Sequence, residues 1–324
     1  MKVLVTGGAG YIGSVVAAQL VEAGHETVVL DDLSRGHAGA IPEGARLARG
    51  NLLKAEFVRG TLSEGFDGVL HFAALSLVGQ SMEEPELYYR NNVCGTLNLI
   101  EAMREHDAGR LVFSSTAAVY GEPEEVPIRE SAPTLPINPY GSSKLAVDRL
   151  ISAVARARGL AATSLRYFNV AGASGPFGED HHPETHLIPL VLEAAAKNSS
   201  VKIFGTDYPT RDGTAVRDYI HVEDLGRAHL LALEAAEPGE HRVYNLGNGA
   251  GFSVREVVEA ARRVTGKEIE AVESPRRPGD PPALVASSEK IRADLGWKPE
   301  KPELEAMISD AWTWMREHPN GYDE

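Results

Sequence analysis

Cysteine is almost missing from this chain: Cys94 is the single one among 324 residues. No intrachain disulfide can form, and a cysteine-rich zinc site is excluded. Cys94 itself lies in an apolar helical stretch and reads as a small buried residue. Positive charge is also scarce. Lysine and arginine total 32 against 46 aspartates and glutamates, a formal net charge of −14. That balance argues against nucleic acid and against anionic membrane surfaces as partners. It leaves room for an anionic small molecule, because a few arginines can be focused into one pocket. Long hydrophobic runs are missing too, so nothing here is expected to span a membrane. The apolar opening at 1–6 meets glycine at once; it is too short for a signal-peptide core and has no basic leader. The expected address is the cytoplasm. No internal repeat and no low-complexity tract is visible.

What is present is a core-forming chain, 43% hydrophobic, of a length that suits one large α/β domain or two closely joined ones. Apolar runs at 2–6, 26–30, 45–48, 68–72, 110–114 and 162–166 read as buried strands. Helical patterns fall between them at 12–23, 85–107 and 140–158. Strand and helix in alternation predict a Rossmann-like, doubly wound parallel sheet with right-handed crossovers, whose ligands gather at the carboxyl ends of the strands. After residue 168 the elements shorten. Helices are expected near 187–196, 224–236, 253–265 and 303–317, and strands near 201–204, 217–222 and 242–246. The expected division is a nucleotide-binding domain over 1–168 and a smaller α/β substrate-binding region over 169–324, partly interleaved with the first.

Gly7-Gly8-Ala9-Gly10-Tyr11-Ile12-Gly13 follows the first strand and opens a helix. Glycine permits the sharp turn, lets backbone approach a pyrophosphate, and lets helix pack close on strand; the helix N-terminus offers free N–H groups and a positive dipole. Glycine clusters alone mark many turns. Here the second strand ends in Asp31, roughly twenty residues on, where a carboxylate meets the hydroxyls of an adenine ribose and repels a 2′-phosphate. NAD is therefore expected rather than NADP, with Arg35 the one nearby cation that opposes this. Asp32 reads as a solvated neighbour.

Tyr140 and Lys144 stand at i and i+4, one above the other on a helix face. Such a pair is common on exposed helices. A phenol with pKa near ~10 is a poor base at neutral pH, and an adjacent ammonium stabilises its phenolate. Tyr140 can then take a proton from a sugar hydroxyl as hydride leaves the carbon. Upstream, Ser114-Ser115-Thr116 ends a strand, where Thr116 can hydrogen-bond the same oxygen; Ser114 and Ser115 also suit simple strand-end bonding. Glycine turn, Ser-Ser-Thr and Tyr-x-x-x-Lys in this order are hard to obtain by accident.

These blocks, together with His71-Phe72-Ala73-Ala74, Asn91-Asn92-Val93, Arg166-Tyr167-Phe168-Asn169, the run from Ile203 to Thr214 and Val216-Arg217-Asp218-Tyr219-Ile220-His221, resemble the extended short-chain dehydrogenases/reductases. Within them the resemblance is to the UDP-glucose 4-epimerases, and it runs over nearly the whole chain. It implies NAD as cofactor, a UDP-sugar as substrate, and a homodimer. It implies Thr116, Tyr140 and Lys144 as catalytic residues. The cofactor would meet Gly7, Gly10, Tyr11, Ile12, Gly13, Asp31, Asn51, Leu52, Phe72, Ala73, Ala74, Asn92, Ser114, Tyr140, Lys144 and Tyr167. The substrate would meet Thr116, Tyr140, Asn169, His186, Leu187, Phe204, Arg217, Arg277, Asp280 and Leu284. The chemistry fits: arginine suits bidentate phosphate contact, a phenylalanine can stack on a base, and amides bond hydroxyls.

This chain departs from the family's pattern at several positions. Asn51 stands where an aspartate usually meets adenine, Ser76 where some members carry lysine near the pyrophosphate, and His186 where an asparagine usually faces a phosphate. Leu284 occupies a position whose size gates N-acetylated sugars, so UDP-N-acetylhexosamines are alternative substrates; a UDP-pentose is another. A nucleotide-sugar 4,6-dehydratase would carry an acidic pair after the Ser/Thr, where this chain has Ala117-Ala118. A non-catalytic NAD-binding regulator would have no reason to keep Thr116, Tyr140 and Lys144 together. His181, His182, Glu184 and His186 suggest a metal at first sight. Adjacent histidines do not easily face one ion, and the spacing matches no familiar zinc pattern. The expectation is a solvated acidic loop and no metal.

Overall fold

The computed structural model describes residues 1–277 and 280–323; Pro278 and Gly279, within the expected arginine-bearing loop, and Glu324 lie outside the described residues. The first half of the chain runs β1 (Lys2–Thr6), α1 (Tyr11–Glu22), β2 (Glu26–Asp31), β3 (Arg46–Arg49), α2 (Ala55–Leu62), β4 (Gly68–His71), α3 (Val78–Glu83), α4 (Pro85–Tyr88), α5 (Gly95–Glu105), β5 (Arg110–Thr116), α6 (Pro139–Arg158) and β6 (Ala161–Tyr167). There follow β7 (Asn169–Ala171), α7 (Leu187–Lys197), β8 (Ser200–Phe204), β9 (Val216–Arg217), β10 (Tyr219–His221), α8 (Val222–Glu234), β11 (His241–Leu246), β12 (Phe252–Ser253), α9 (Val254–Thr265), β13 (Glu270–Ser274), β14 (Ala283–Leu284), α10 (Glu289–Leu295) and α11 (Leu304–Glu317). Among the described residues no helix is long and apolar enough to cross a membrane.

The main sheet has seven strands in the order β11-β6-β5-β4-β1-β2-β3, all parallel. The chain travels outward from β1 through β2 to β3, then returns to place β4 on the other side of β1. The strand order therefore reverses between β1 and β4, and a doubly wound sheet opens its ligand crevice at such a point. Both faces are covered. Val3, Val5, Val29 and Leu70 pack on one side with α1 and α8, and Leu4, Val28, Leu30 and Val69 pack on the other with α2, α5 and α6. Burial on both faces is why these strands read as unbroken apolar runs rather than alternating ones. The edge beside β6 is filled by β11, which comes from far along the chain.

Local chemistry sets several boundaries. Asn138 accepts a hydrogen bond from the Gly141 amide at the start of α6, Pro139 sits at its first position, and Gly159 closes it with φ +78°. Ser253 and Glu256 form a reciprocal capping box on α9. The expected helix over 85–107 is not one α-helix. α4 gives way at Tyr89–Cys94 to a wider π turn before α5 resumes. Such turns interrupt helices where a side chain has business elsewhere. Asn92, in this turn, accepts from the Leu75 amide at 2.8 Å and donates to Ser143 Oγ at 3.0 Å. Cys94, read as buried, is exposed, because the residues of this turn that face inward are others.

One polar network crosses the apolar interior. Arg166 in β6 donates through Nε and Nη2 to Asp148 Oδ2 in α6, at 3.1 and 2.9 Å. Ser115 in β5 donates to the same oxygen at 3.2 Å. The Arg166 Nη1 donates to the Tyr120 hydroxyl, which donates to Asn245 Oδ1 in β11. The Asp148 and Arg166 side chains are only 4% and 8% exposed, so removing either leaves the other charge buried and unpaired. Arg166→Met should cost about 3–5 kcal/mol of stability by urea denaturation. A loss under about 1 kcal/mol would mean that the pair behaves as a solvated surface bridge.

Candidate active site

The carboxyl ends of β1, β2, β4, β5 and β6 bring together most of the residues expected at the cofactor side. The glycine turn follows β1 directly. Gly7 has φ +72°, and a Cβ there would lie 2.6 Å from the Ala73 amide nitrogen; a Cβ on Gly13 would lie 2.2 Å from the Gly7 carbonyl oxygen. Only glycine lets β1, the turn after β4 and α1 approach this closely. The first turn of α1 carries no acidic residue and has no side-chain cap, so its leading amides are available to an anion. Asp31 ends β2 and is 8% exposed. Its carboxylate accepts from the Ala9 amide at 3.1 Å and the Leu33 amide at 2.9 Å, so it braces the turn as well as marking the ribose position. Burial holds its pKa above the ordinary value. An uncapped helix start, a cradle that a Cβ would fill, and a buried acid at the next strand end fit a dinucleotide.

The neighbours differ in what they are free to do. Asn51 donates to Asp32 at 2.5 Å, so Asp32, read as a solvated neighbour, is tied to the candidate adenine side. Leu52 is largely taken up by the apolar core beneath α5. Phe72 packs against His229 with ring centroids 4.7 Å apart. Ala73 donates its amide to Thr6 O, and Ala74 is half-buried beside it. Asn92 steadies both the Leu75 backbone and Ser143. Tyr11 donates to Gly172 O at 2.6 Å, with Ile12 next to it packed on the core.

Thr116, Tyr140 and Lys144 converge where β5 meets α6. The Lys144 ammonium, 2% exposed, donates to the Ser114 carbonyl at 2.7 Å and lies 4.8 Å from the centre of the Phe113 ring. The Ser114 hydroxyl is hydrogen-bonded to the Tyr167 hydroxyl. Burial pushes the Tyr140 phenol up to about 12, partly offset by a hydrogen bond with Thr116. Burial holds Lys144 down at about 7, while the carboxylate of Asp148 pulls it back up. Asp148 stands one turn beyond Lys144 on the same helix face, a spacing visible in the sequence but passed over there. Tyr88 adds an edge-on contact to the Tyr140 ring at 6.5 Å.

The expected substrate side gathers around β8, β9 and β14. Arg217 is paired with Asp280, and the Arg277 guanidinium lies 3.9 Å over the Phe204 ring. Arg276 instead pairs outward with Asp207. Leu284 lies in register with Arg217 and packs beside Tyr120, Ile128 and Leu145. Asn169 donates to Asp218 O at 3.0 Å. His186 and Leu187 stand at the start of α7.

The histidine loop is solvated, as expected, at His182, Pro183, Thr185 and His186, but its carboxylates turn inward. Glu179, passed over in the sequence, and Glu184 expose only 9% and 8% of their side chains and converge with His181 and His186. His182 is 83% exposed and turns away. No periodic pattern marks Glu179, because the loop that folds it inward has none.

The model of the NAD dependent epimerase/dehydratase family matches residues 3–247. The chain belongs to that family. A UDP-glucose 4-epimerase from Streptomyces lividans is 58% identical over 100% of this chain and 98% of its own length. A crystal structure of a UDP-glucose 4-epimerase superposes with a TM-score of 0.97 at 48% identity, covering 100% of both chains. A UDP-glucose 4-epimerase from Stenotrophomonas maltophila, solved with bound NAD and formylated UDP-arabinopyranose, superposes with a TM-score of 0.94 at 37% identity, over 98% of this chain and 99% of that one. The glycine cradle and the β5–α6 trio of this epimerase/dehydratase family member therefore lie in a fold whose relatives carry NAD and UDP-sugars.

The buried lysine has a measurable signature. Its folded-state pKa, about 7, lies below the unfolded value near ~10.4. Between these limits the unfolded chain binds the extra proton, so this group makes folding more favourable as pH rises. In urea titrations the stability of the wild type relative to Lys144→Met should climb from about pH 7 toward pH 10. A flat difference would place the ammonium in water.

Proposed function

We propose that this protein is an NAD-dependent isomerase that interconverts UDP-galactose and UDP-glucose by inverting C4 of the hexose. The observation that carries this reading is the half-buried Tyr140 phenol, its pKa lowered by Thr116 against the effect of burial, set one helical turn from the buried Lys144 at the strand ends beside the glycine cradle. The names and coverage of the relatives support the same reaction. NAD, held by Gly7, Gly10, Gly13 and Asp31, supplies a reversible acceptor for the C4 hydride when bound.

The side chains of this chain do the rest. Lys144, itself 2% exposed, places a positive charge beside the half-buried Tyr140, where it favours the phenolate more than it would in open solvent. Tyr140 takes the proton of the 4-hydroxyl as C4 becomes a ketone, and Thr116 bonds and orients that oxygen. Arg217 and Arg277 hold the diphosphate, and Phe204 offers a face to the uracil. With the anchor on the phosphates, the 4-keto sugar turns about its linkage and presents the opposite face. Tyr140 then returns the proton to O4 of the epimer. Ala117 and Ala118, which follow Thr116, offer no acid or base to remove water across C5–C6, which sets this reading apart from a 4,6-dehydratase.

A second copy of the chain is part of the proposal. Val78, Met82, Leu87, Tyr89 and Leu97 leave apolar surface exposed along α3, α4, the π turn and α5, a face suited to pairing into a homodimer. The reading assigns the enzyme to the cytoplasm, with its nucleotide-sugar substrate.

Tyr140→Phe should lower kcat for UDP-galactose by on the order of 10²–10⁴-fold while leaving NAD content unchanged. A coupled assay of UDP-glucose formation reads this. Undiminished turnover in the variant would remove Tyr140 from the chemistry. Chromatographic detection of UDP-N-acetylglucosamine formed from UDP-N-acetylgalactosamine tests the space beside Leu284, which turnover would show to be wide enough for the acetamido group.

A further inference from the structure

We infer that Glu179, His181, Glu184 and His186 form a binding site for one divalent transition metal ion of the zinc type. One ligand atom from each lies within 4.8 Å of all the others. Glu179 Oε1 is 2.6 Å from His186 Nδ1 and 3.1 Å from His181 Nδ1. Glu184 offers Oε1 at 3.1 Å from His186 Nδ1 and Oε2 at 3.9 Å from His181 Nδ1. A tetrahedral ion with bonds of ~2.0–2.2 Å sets its ligand atoms ~3.3–3.5 Å apart. The spacings straddle that value, so small side-chain rotations complete the shell.

Burial and charge point the same way. The two carboxylates are more than nine-tenths buried, and among the described residues their ion-pair partners are the two imidazoles alone. Once an ion displaces the imidazole protons, the two carboxylates leave the cluster with a charge of −2 out of water, which a divalent cation neutralises. Two imidazole nitrogens and two carboxylate oxygens, with no thiolate, suit zinc and its borderline neighbours rather than calcium, which takes six to eight oxygens.

The scaffold is built to hold such a shell. Glu184 Oε1 accepts from the amides of Thr185 and His186, both at 2.6 Å, which fixes the carboxylate before any ion arrives. The loop is pinned by Trp314 Nε1 on Pro176 O at 2.9 Å, by the Tyr322 hydroxyl on the Gly178 backbone, and by Arg35 on His182 O at 2.7 Å. The His181 ring meets Tyr11 of the glycine turn edge-on at 6.5 Å. An ion here has four protein ligands and no open position, so its work is structural: it clamps the loop between the glycine turn and the start of α7. Metallation of His186 at Nδ1 places its proton on Nε2, which stays free to donate to the substrate side. The inference does not rest on the proposed reaction and is read from metal content, not turnover.

The test uses the full-length protein, stripped with EDTA and dialysed. Titration with Co²⁺ should bring up the visible absorption of tetrahedral cobalt at one equivalent per chain. Zn²⁺ should abolish that band and raise the thermal midpoint. Glu184→Gln and His181→Ala should each weaken Co²⁺ binding by at least about 100-fold, while His182→Ala, outside the cluster, should bind as the wild type does. Far-UV circular dichroism checks that the variants fold. Were they to unfold, X-ray absorption of the wild-type zinc form should report two imidazoles and an all-N/O shell. No stoichiometric uptake by the wild type would overturn the inference. So would cobalt spectra unchanged in folded His181→Ala and Glu184→Gln, or a shell lacking imidazole.

Discussion

Lys144 carries an ammonium group into the interior, with a carbonyl oxygen as its one direct hydrogen-bond partner among the described residues. Desolvating a cation is costly, and much of the surrounding structure can be understood as meeting that cost. The Ser114 carbonyl accepts its proton, the Phe113 ring lies beneath it, and Asp148 supplies a negative field one turn away. Asp148 can sit there because Arg166 and Ser115 hold it. Arg166 in turn is satisfied by Tyr120, which reaches Asn245 in β11. A single charge at the candidate reaction centre thus helps to fix the relation of β5, α6, β6 and β11, alongside His241, which joins Ser152 of α6 to Ser164 of β6.

The two halves of the site are held by different physics. On the cofactor side, contacts are backbone to backbone, and the gaps are so small that a single Cβ would close them. On the substrate side, guanidinium groups already rest on protein partners, Arg217 on Asp280 and Arg277 on Phe204. Prearranged cations need little reordering to take a diphosphate. Their long side chains still leave the far end of a bound molecule free to turn. Rigid grip at one end and freedom at the other are what an inversion through a planar ketone requires.

How much of this was readable beforehand depended on the range of the interaction. Buried parallel strands announce themselves in apolar runs, and the glycine turn and the Tyr140–Lys144 spacing are local, so all were legible in the sequence. Three things were not. The π turn at Tyr89–Cys94 lies inside a helical pattern, and what interrupts it is the tertiary bond from Asn92 to Ser143. Asp148 carries no distinguishing mark in the sequence, because the Arg166 that holds it comes from another element. Glu179 sits in an aperiodic loop, and its burial follows from anchors at Trp314 and Tyr322 that are more than a hundred residues away. Local signals describe a backbone; long-range polar contacts choose which side chains it buries.

The late arrival of β11 bears on how the molecule is made. Residues 1–168 hold six of the seven sheet strands, yet without β11 the outer edge of β6 presents a row of unpaired amides and carbonyls flanked by apolar side chains. Such an edge recruits strands from other chains. During synthesis it stays open until residue 246 has emerged, while the buried Arg166 waits for the Tyr120–Asn245 end of its network. A fragment cut at the apparent boundary between the halves is thus an aggregation-prone intermediate rather than a free-standing nucleotide-binding module. The unit that folds is the whole sheet, and the second half of the chain is its last strand before it is anything else.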